Sequence, residues 1–166
     1  MHVLLVTPGA QLTDQVLTAL VDGDDVSYTE VWTPQRALAL LDEGHDCDIV
    51  VADNDTQPSG GFFLSREIKA RARMGQDVPP VLLLVAREQD DYLARWAEAD
   101  AWVLKPVDSF DLAEAVWALV ERRHMAELPG VKTFESEGGI KGPGQVGELP
   151  PRQDLAEVEG TTGAQR

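Results

Sequence analysis

Apolar residues along this chain come in short, nearly continuous runs separated by stretches of helical spacing. The first run, HVLLVT over 2–7, ends at Thr7, Pro8 and Gly9. Unbroken apolarity of this kind suits a strand buried on both faces rather than one with a wet side. A helix is predicted over 11–21, where Leu12, Val16, Leu17, Leu20 and Val21 recur at helical spacing, and Asp22, Gly23, Asp24 and Asp25 stop it. Residues 26–32, VSYTEVW, alternate as a strand nearer a sheet edge does. Thr33 followed by Pro34 reads as an N-cap with proline in the first helical position, opening a helix through Ala37, Leu38, Leu40 and Leu41 that closes at Gly44. CDIVVA, 47–52, is the most buried-looking strand and runs into Asp53.

After a polar loop over 54–61, a helix is expected to turn Phe62, Phe63, Ile68 and Met74 inward and Arg66, Lys69, Arg71 and Arg73 outward, ending at Gly75. VPPVLLLVA, 78–86, is another continuous apolar strand. A helix with Tyr92, Leu93 and Trp96 follows, then the strand AWVL (101–104), Lys105-Pro106, and a last helix from about Asp108 to about Glu127. Five strands alternating with five helices predict an α/β doubly wound, five-stranded parallel sheet, in which right-handed crossovers place helices on both faces. Ligand sites in such sheets lie at the carboxyl ends of the strands. Near Leu128 the composition changes: 128–166 is rich in Gly, Pro and Glu and has no periodicity. Two regions follow, a domain over 1–127 and an extended C-terminal tail over 128–166 that orders only on a partner, with Val131, Phe134, Ile140, Val146, Leu149 and Leu155 as candidate anchors.

Charge and composition narrow the function. With 14 Lys and Arg against 29 Asp and Glu, the net charge is −15, which disfavours nucleic acid and anionic membranes as partners. The first residues lack the basic segment and apolar length of a signal peptide, and no apolar run approaches the ~20 residues of a membrane span. The single cysteine, Cys47, excludes a disulfide framework and reads as a small core residue. His2, His45 and His124 are widely scattered and form no evident zinc constellation with it. A cytoplasmic protein without membrane insertion is expected. The turn after the first strand, TPGAQ, lacks the glycine spacing and lysine of a phosphate-cradling loop, and no Ser/His or Cys/His set falls at the strand ends, so no catalytic machinery is visible.

Chemistry is therefore sought at Thr7-Pro8, Asp53, Val85-Ala86 and Lys105-Pro106. DIVVAD (48–53), Pro58 and Gly61 after the acid, PVLLLVA (80–86) and ADAWVLKP (99–106) ahead of an amphipathic helix resemble, in order and spacing, the receiver domain of two-component response regulators, over about residues 1–124. The resemblance implies a receiver (flavodoxin-like) fold and a phosphoryl-accepting aspartate at Asp53. It implies that Lys105 contacts the phosphoryl oxygens, that the bond to Pro106 is commonly cis, and that Trp102 reports the switch by turning inward.

Two departures bear on that mechanism. Active receivers hold Mg²⁺ with adjacent acids after the first strand, where this chain has Thr7 and Pro8, so the metal site is expected to be lost and no cofactor is implied. Val85 stands where receivers carry a phosphate-binding Thr or Ser hydroxyl. Pro58 also lies five residues after Asp53, where four is usual. Read from the residues alone, Asp53 and Lys105 form a structural ion pair. Asp55 and Asp14 are acids that do not match the family's metal positions, and Asp24-Asp25 reads as a solvated turn.

Three functions follow. The first is an atypical, phosphorylation-independent receiver, a pseudo-receiver, acting as a protein-binding module or stable accessory subunit. The second is a stand-alone response regulator phosphorylated on Asp53 by a histidine kinase, and the third is an enzyme on a similar sheet. In the first, a protein partner would dock on the surface of the fourth helix, fifth strand and fifth helix, which offers Trp102 and Trp117, and on the tail 128–166; Trp32 and Trp96 read as core or interface. A receiver with such a tail and no effector domain is also similar in layout to the response-regulator-like accessory subunit of actinobacterial respiratory NADH dehydrogenase (complex I). That likeness implies a place on the cytoplasmic side of a membrane complex.

Overall fold

The computed structural model describes residues 1–20, 25–122, 128 and 130–133. The parallel strands are β1 (His2–Val6), β2 (Ser27–Val31), β3 (Ile49–Asp53), β4 (Val81–Val85) and β5 (Ala101–Leu104). Helices α1 (Ala10–Leu20), α2 (Pro34–Asp42), α3 (Gly60–Arg73), α4 (Asp91–Trp96) and α5 (Ser109–Val120) connect or follow them. The sheet order is β2-β1-β3-β4-β5-β6, with β1 to β5 parallel and β6 (Val131–Thr133) antiparallel to β5.

Side-chain alternation along the strands separates two cores. Leu4, Val6, Val50, Ala52, Val81, Leu83 and Val85 meet Ala37 and Leu38 of α2, Leu64 and Ile68 of α3 and Ala94 of α4. Val3, Leu5, Ile49, Val51, Leu82 and Leu84 meet Val16 and Leu20 of α1 and Leu112, Ala115 and Val116 of α5. Every residue of β3 and β4 is buried, as unbroken apolar runs require of central strands in a sheet with no wet face. The outer β2 is mostly exposed and polar.

The predicted caps of α2 are present. The Thr33 side chain accepts from the Arg36 amide, Pro34 stands in the first turn, and Gly44 beyond the end takes φ +82°. At the far end of the sheet Asp108 caps α5 through the Asp111 amide.

Four expectations are corrected. The sheet has a sixth strand, because residues 131–133, assigned to the tail by composition, pair with the otherwise open edge of β5 and bury Val131. Three residues are too few for periodicity to show, and an unpaired edge is what gives them a place. The last helix ends at Val120 rather than near Glu127: its carbonyls are capped by Glu121, and Arg122 turns to φ +53°. In α3 the inward stripe is Gly61, Leu64, Ser65 and Ile68, while Phe63 and Met74 are exposed, since the close approach of Gly61 to Leu83 and Asn54 fixes the helix's rotation. Of the core-or-interface reading of Trp32 and Trp96, the core half is corrected: at 73% and 51% exposure both lie on the surface, the first just past the end of an edge strand and the second at the end of the short α4. Val21, Asp22, Gly23 and Asp24, His124 and residues 134–166 with their candidate anchors lie outside the described residues.

Gly60 opens α3 at φ +77°, and a Cβ there would stand 2.7 Å from the Asn54 carbonyl oxygen. Gly60→Ala is therefore expected to cost at least about 1–2 kcal/mol through the left-handed backbone alone, lowering the melting midpoint by roughly 5 °C or more in thermal unfolding. Gly9→Ala, where an added Cβ meets nothing within 4 Å, should stay within about 0.5 kcal/mol of the parent.

Candidate functional site

Because β3, β4 and β5 run parallel and in register, their carboxyl ends lie side by side and bring Asp53, Val85 and Lys105 to one edge. Backbone pairing continues one step past the strands, with Asn54 N–H donating to Leu84 O and Lys105 N–H to Val85 O. This fixes where each side chain starts. Lys105 reaches across the end of β4, and its Nζ lies 2.9 and 3.1 Å from the two carboxylate oxygens of Asp53 and 2.7 Å from Asp55 Oδ2. Asp53 is 2% exposed, and its Oδ1 also accepts from the Asp55 amide. The loop is fastened beneath it by the Thr56 hydroxyl, which donates to the Asp53 carbonyl at 2.7 Å. Asn54 Oδ1 accepts from the Phe62 amide at the start of α3.

The electrostatics favour keeping this arrangement. Burial pulls the Lys105 pKa down, but hydrogen bonds and charge from Asp55 and Asp53 outweigh it and hold the ammonium above the ordinary lysine value. The ion pair read from the residues is thus a cluster of one cation and two carboxylates. Asp55, an acid without a family counterpart, is drawn in beside Asp53, whereas Asp14 is exposed on α1.

At the end of β1, Thr7 is fully buried and Pro8 exposed. The Thr7 hydroxyl meets Thr13 Oγ1 at 3.0 Å and Glu30 Oε1 at 3.4 Å, and Thr13 donates to the same Glu30 oxygen at 2.6 Å. This threonine-glutamate link was not legible in the sequence, since Glu30 occupies an alternating position on an edge strand and gives no other signal. A Mg²⁺ ion of the kind the receiver resemblance implies does not fit these residues. The hydroxyl after β1 is engaged with its neighbours, Pro8 adds no side-chain oxygen, and both Asp53 oxygens are taken by an ammonium. Among the described residues no group of three or more His, Cys, Asp or Glu is placed to hold a metal ion.

Val85 is 2% exposed at the end of β4, so no hydroxyl meets a ligand there. Trp102 points inward, 2% exposed. Its Nε1–H donates to Asp91 Oδ1 at 2.7 Å, and the Arg95 guanidinium stands 5.1 Å from its ring centroid. Lys132 of β6 lies 3.6 Å from the same Asp91 oxygen, so the sixth strand closes over the outer side of this tryptophan. The Lys105–Pro106 bond is cis. Trp117 is half-buried on α5, and Asp25 sits in its turn at φ +60°. Cys47 packs partly buried against the α2 and α3 core; burial, then Asp48 and Asp46, pushes its thiol up to about 11.

Removing the cation leaves two carboxylates facing each other, one of them buried. Lys105→Met is expected to destabilise by about 3 kcal/mol, the lower end for breaking a buried pair, in denaturant unfolding at neutral pH. Since the folded lysine pKa lies above the ordinary 10.5, the lysine's contribution is lost as pH climbs through the higher folded value, so the difference should narrow on the alkaline side.

No protein-family model matches the chain. Two response regulatory proteins of Mycobacterium tuberculosis, from two strains, are each 30% identical over 125 residues, a match that takes in 72% of this chain and 91% of theirs. Among solved structures, the receiver domain of a Francisella response regulator superposes with a TM-score of 0.62 at 19% identity, over 73% of this chain and 97% of that one. The receiver domain of a Saccharomyces cerevisiae response regulator, crystallised with its histidine phosphotransfer protein, gives 0.61 at 18% identity, over 72% and 88%. These structures share the fold. No helix among the described residues is long and apolar enough to cross a membrane. With the strand order, the Asp53–Lys105 edge and the mycobacterial relatives in agreement, the chain belongs to the response regulator receiver family.

Proposed function

We propose that this receiver works without phosphorylation, as a protein-binding module or stable accessory subunit of a larger assembly. The observation that carries the reading is the Asp53 carboxylate, held on both oxygens by Lys105 at an edge where Thr7 and Pro8 replace metal-binding acids. Phosphoryl transfer to a carboxylate needs a counter-charge for the equatorial oxygens and an unencumbered nucleophile. Lysine alone supplies the first only by giving up the ion pair. Val85 removes the hydroxyl that would draw a switch loop over a phosphoryl group.

What remains is a rigid surface. The α4–β5–α5 side carries exposed Tyr92, Trp96 and Phe110, and β6 lies on its edge, so a partner meets that strand rather than a bare β5. Aromatic side chains that are ordered yet open to solvent are the residue types that anchor protein interfaces. The acidic chain suits a basic partner face. In this proposal residues 134–166, next in sequence after β6, add to the partner contact. Within this reading the assembly is a membrane-bound respiratory NADH dehydrogenase, with the receiver on the cytoplasmic side of its soluble arm and no insertion in the bilayer; the layout of receiver plus tail supports that choice. A second reading, a response regulator phosphorylated on Asp53 by a histidine kinase, is favoured by the family and by the contact of Lys105 with that acid.

Intact-mass measurement after incubation with acetyl phosphate and Mg²⁺ separates the two. No phosphoryl adduct is expected; a Mg²⁺-dependent adduct absent from Asp53→Asn would establish the second reading instead. Mild affinity purification from the source cells should recover the chain in a stoichiometric large assembly, and deleting residues 134–166 should weaken retention without lowering the melting midpoint. A free monomer or dimer, or undiminished retention of the shortened chain, would count against the subunit role.

A further inference from the structure

The two histidines at the opposite end of the sheet from Asp53, 43 residues apart in sequence, meet in the fold. His2 begins β1, and His45 follows α2. Their Nε2 atoms stand 3.2 Å apart, and the hydroxyl of Thr29, on β2, lies 2.9 Å from the first and 3.2 Å from the second. The rings are edge to face, with centroids 5.2 Å apart and planes at 70°. All three residues are half-buried, so the triangle they form is open to solvent on one side.

Hydrogen bonding leaves this triangle incompletely satisfied. A ring nitrogen carries either a proton or an in-plane lone pair, never both, so two neutral imidazoles and one hydroxyl satisfy at most two of the three contacts without sharing a proton or a lone pair. His2 Nδ1 lies 2.7 Å from Ser27 Oγ. In the tautomer that donates Nδ1–H to that oxygen, Nε2 presents a lone pair to the triangle, which is the orienting device that metal-binding histidines use on their remote nitrogen. A cation removes the conflict by accepting all three lone pairs.

We infer that His2, His45 and Thr29 form a surface site for one divalent cation of the zinc class. Two Zn–N bonds of about 2.0–2.1 Å at a tetrahedral angle set their nitrogens about 3.4 Å apart, close to the separation found here. Imidazole donors select borderline metals such as zinc over Mg²⁺ or Ca²⁺. The net charge of −15 raises the cation concentration near the surface, and Asp46 and Asp48 follow His45 in sequence. The Asp48 carboxylate accepts from the His2 amide and so steadies the strand start rather than joining the site. Bound zinc would tie β1 and β2 to the loop after α2, and water would complete its coordination.

The test is equilibrium dialysis of the full chain against zinc chloride in a non-chelating buffer. One equivalent of zinc is expected to bind, with affinity at least tenfold weaker in His45→Gln and in His2→Gln, and a smaller loss in Ser27→Ala. On the unaltered chain, imidazole ¹⁵N–¹H correlations should show Nε2 of His2 and of His45 shifting together at the first equivalent while His124 stays in place, a readout that does not require any variant to fold. Zinc bound equally well by His45→Gln, as by a chelate of the terminal amine with His2 alone, would overturn the site, and so would no binding or shifts confined to His124.

Discussion

A parallel sheet covered by helices on both faces has no wet side, and this single constraint organises the molecule. It forces β3 up to Ala52 and the whole of β4 to be apolar and sends every polar function to the strand ends. There the chain can place charge without burying it unpaired. Asp53 is the exception that tests the rule: a carboxylate at 2% exposure, tolerable because an ammonium and a backbone amide meet it at once. Lys105, in turn, is positioned by the backbone pairing of β5 with β4. The receiver's distinctive edge is therefore a consequence of sheet register as much as of residue identity.

On the proposed reading, the same edge keeps the family's architecture without its phosphoryl chemistry. A Mg²⁺ ion and a lysine compete for the same aspartate oxygens, and the acids that would tilt that competition toward the metal are replaced by a threonine bonded sideways to Thr13 and Glu30 and by a proline. Thr7 fills the end of β1 as a buried polar group with its own partners.

The succession of strands and helices, the caps of α2 and the aspartate and lysine at their strand ends were legible because each rests on a local signal: an unbroken apolar run, a Thr-Pro pair, a residue at a fixed distance from a strand end; the inward tryptophan was carried by the family resemblance. The features that were not legible depend on contacts between distant segments. Val131 joins the sheet because β5 has an open edge, which no window around residue 131 reveals. Phe63 and Met74 satisfy helical spacing loosely, and only the close packing of Gly61 on Leu83 decides which stripe faces in. The histidines show the limit most plainly. Widely scattered along the chain, His2 and His45 touch because β1 lies between β2 and β3.

The antiparallel sixth strand has a further consequence for how copies of this molecule could meet. By occupying the rim of β5, it replaces a four-residue parallel edge with a three-residue antiparallel one, while the opposite rim, β2, is five residues long and mostly polar. Growth of the sheet from one molecule into the next therefore has one short rim and one polar rim to start from. Each is a poor template for a further strand, the first for its length and the second for its side chains, so the described sheet discourages lateral assembly at both ends.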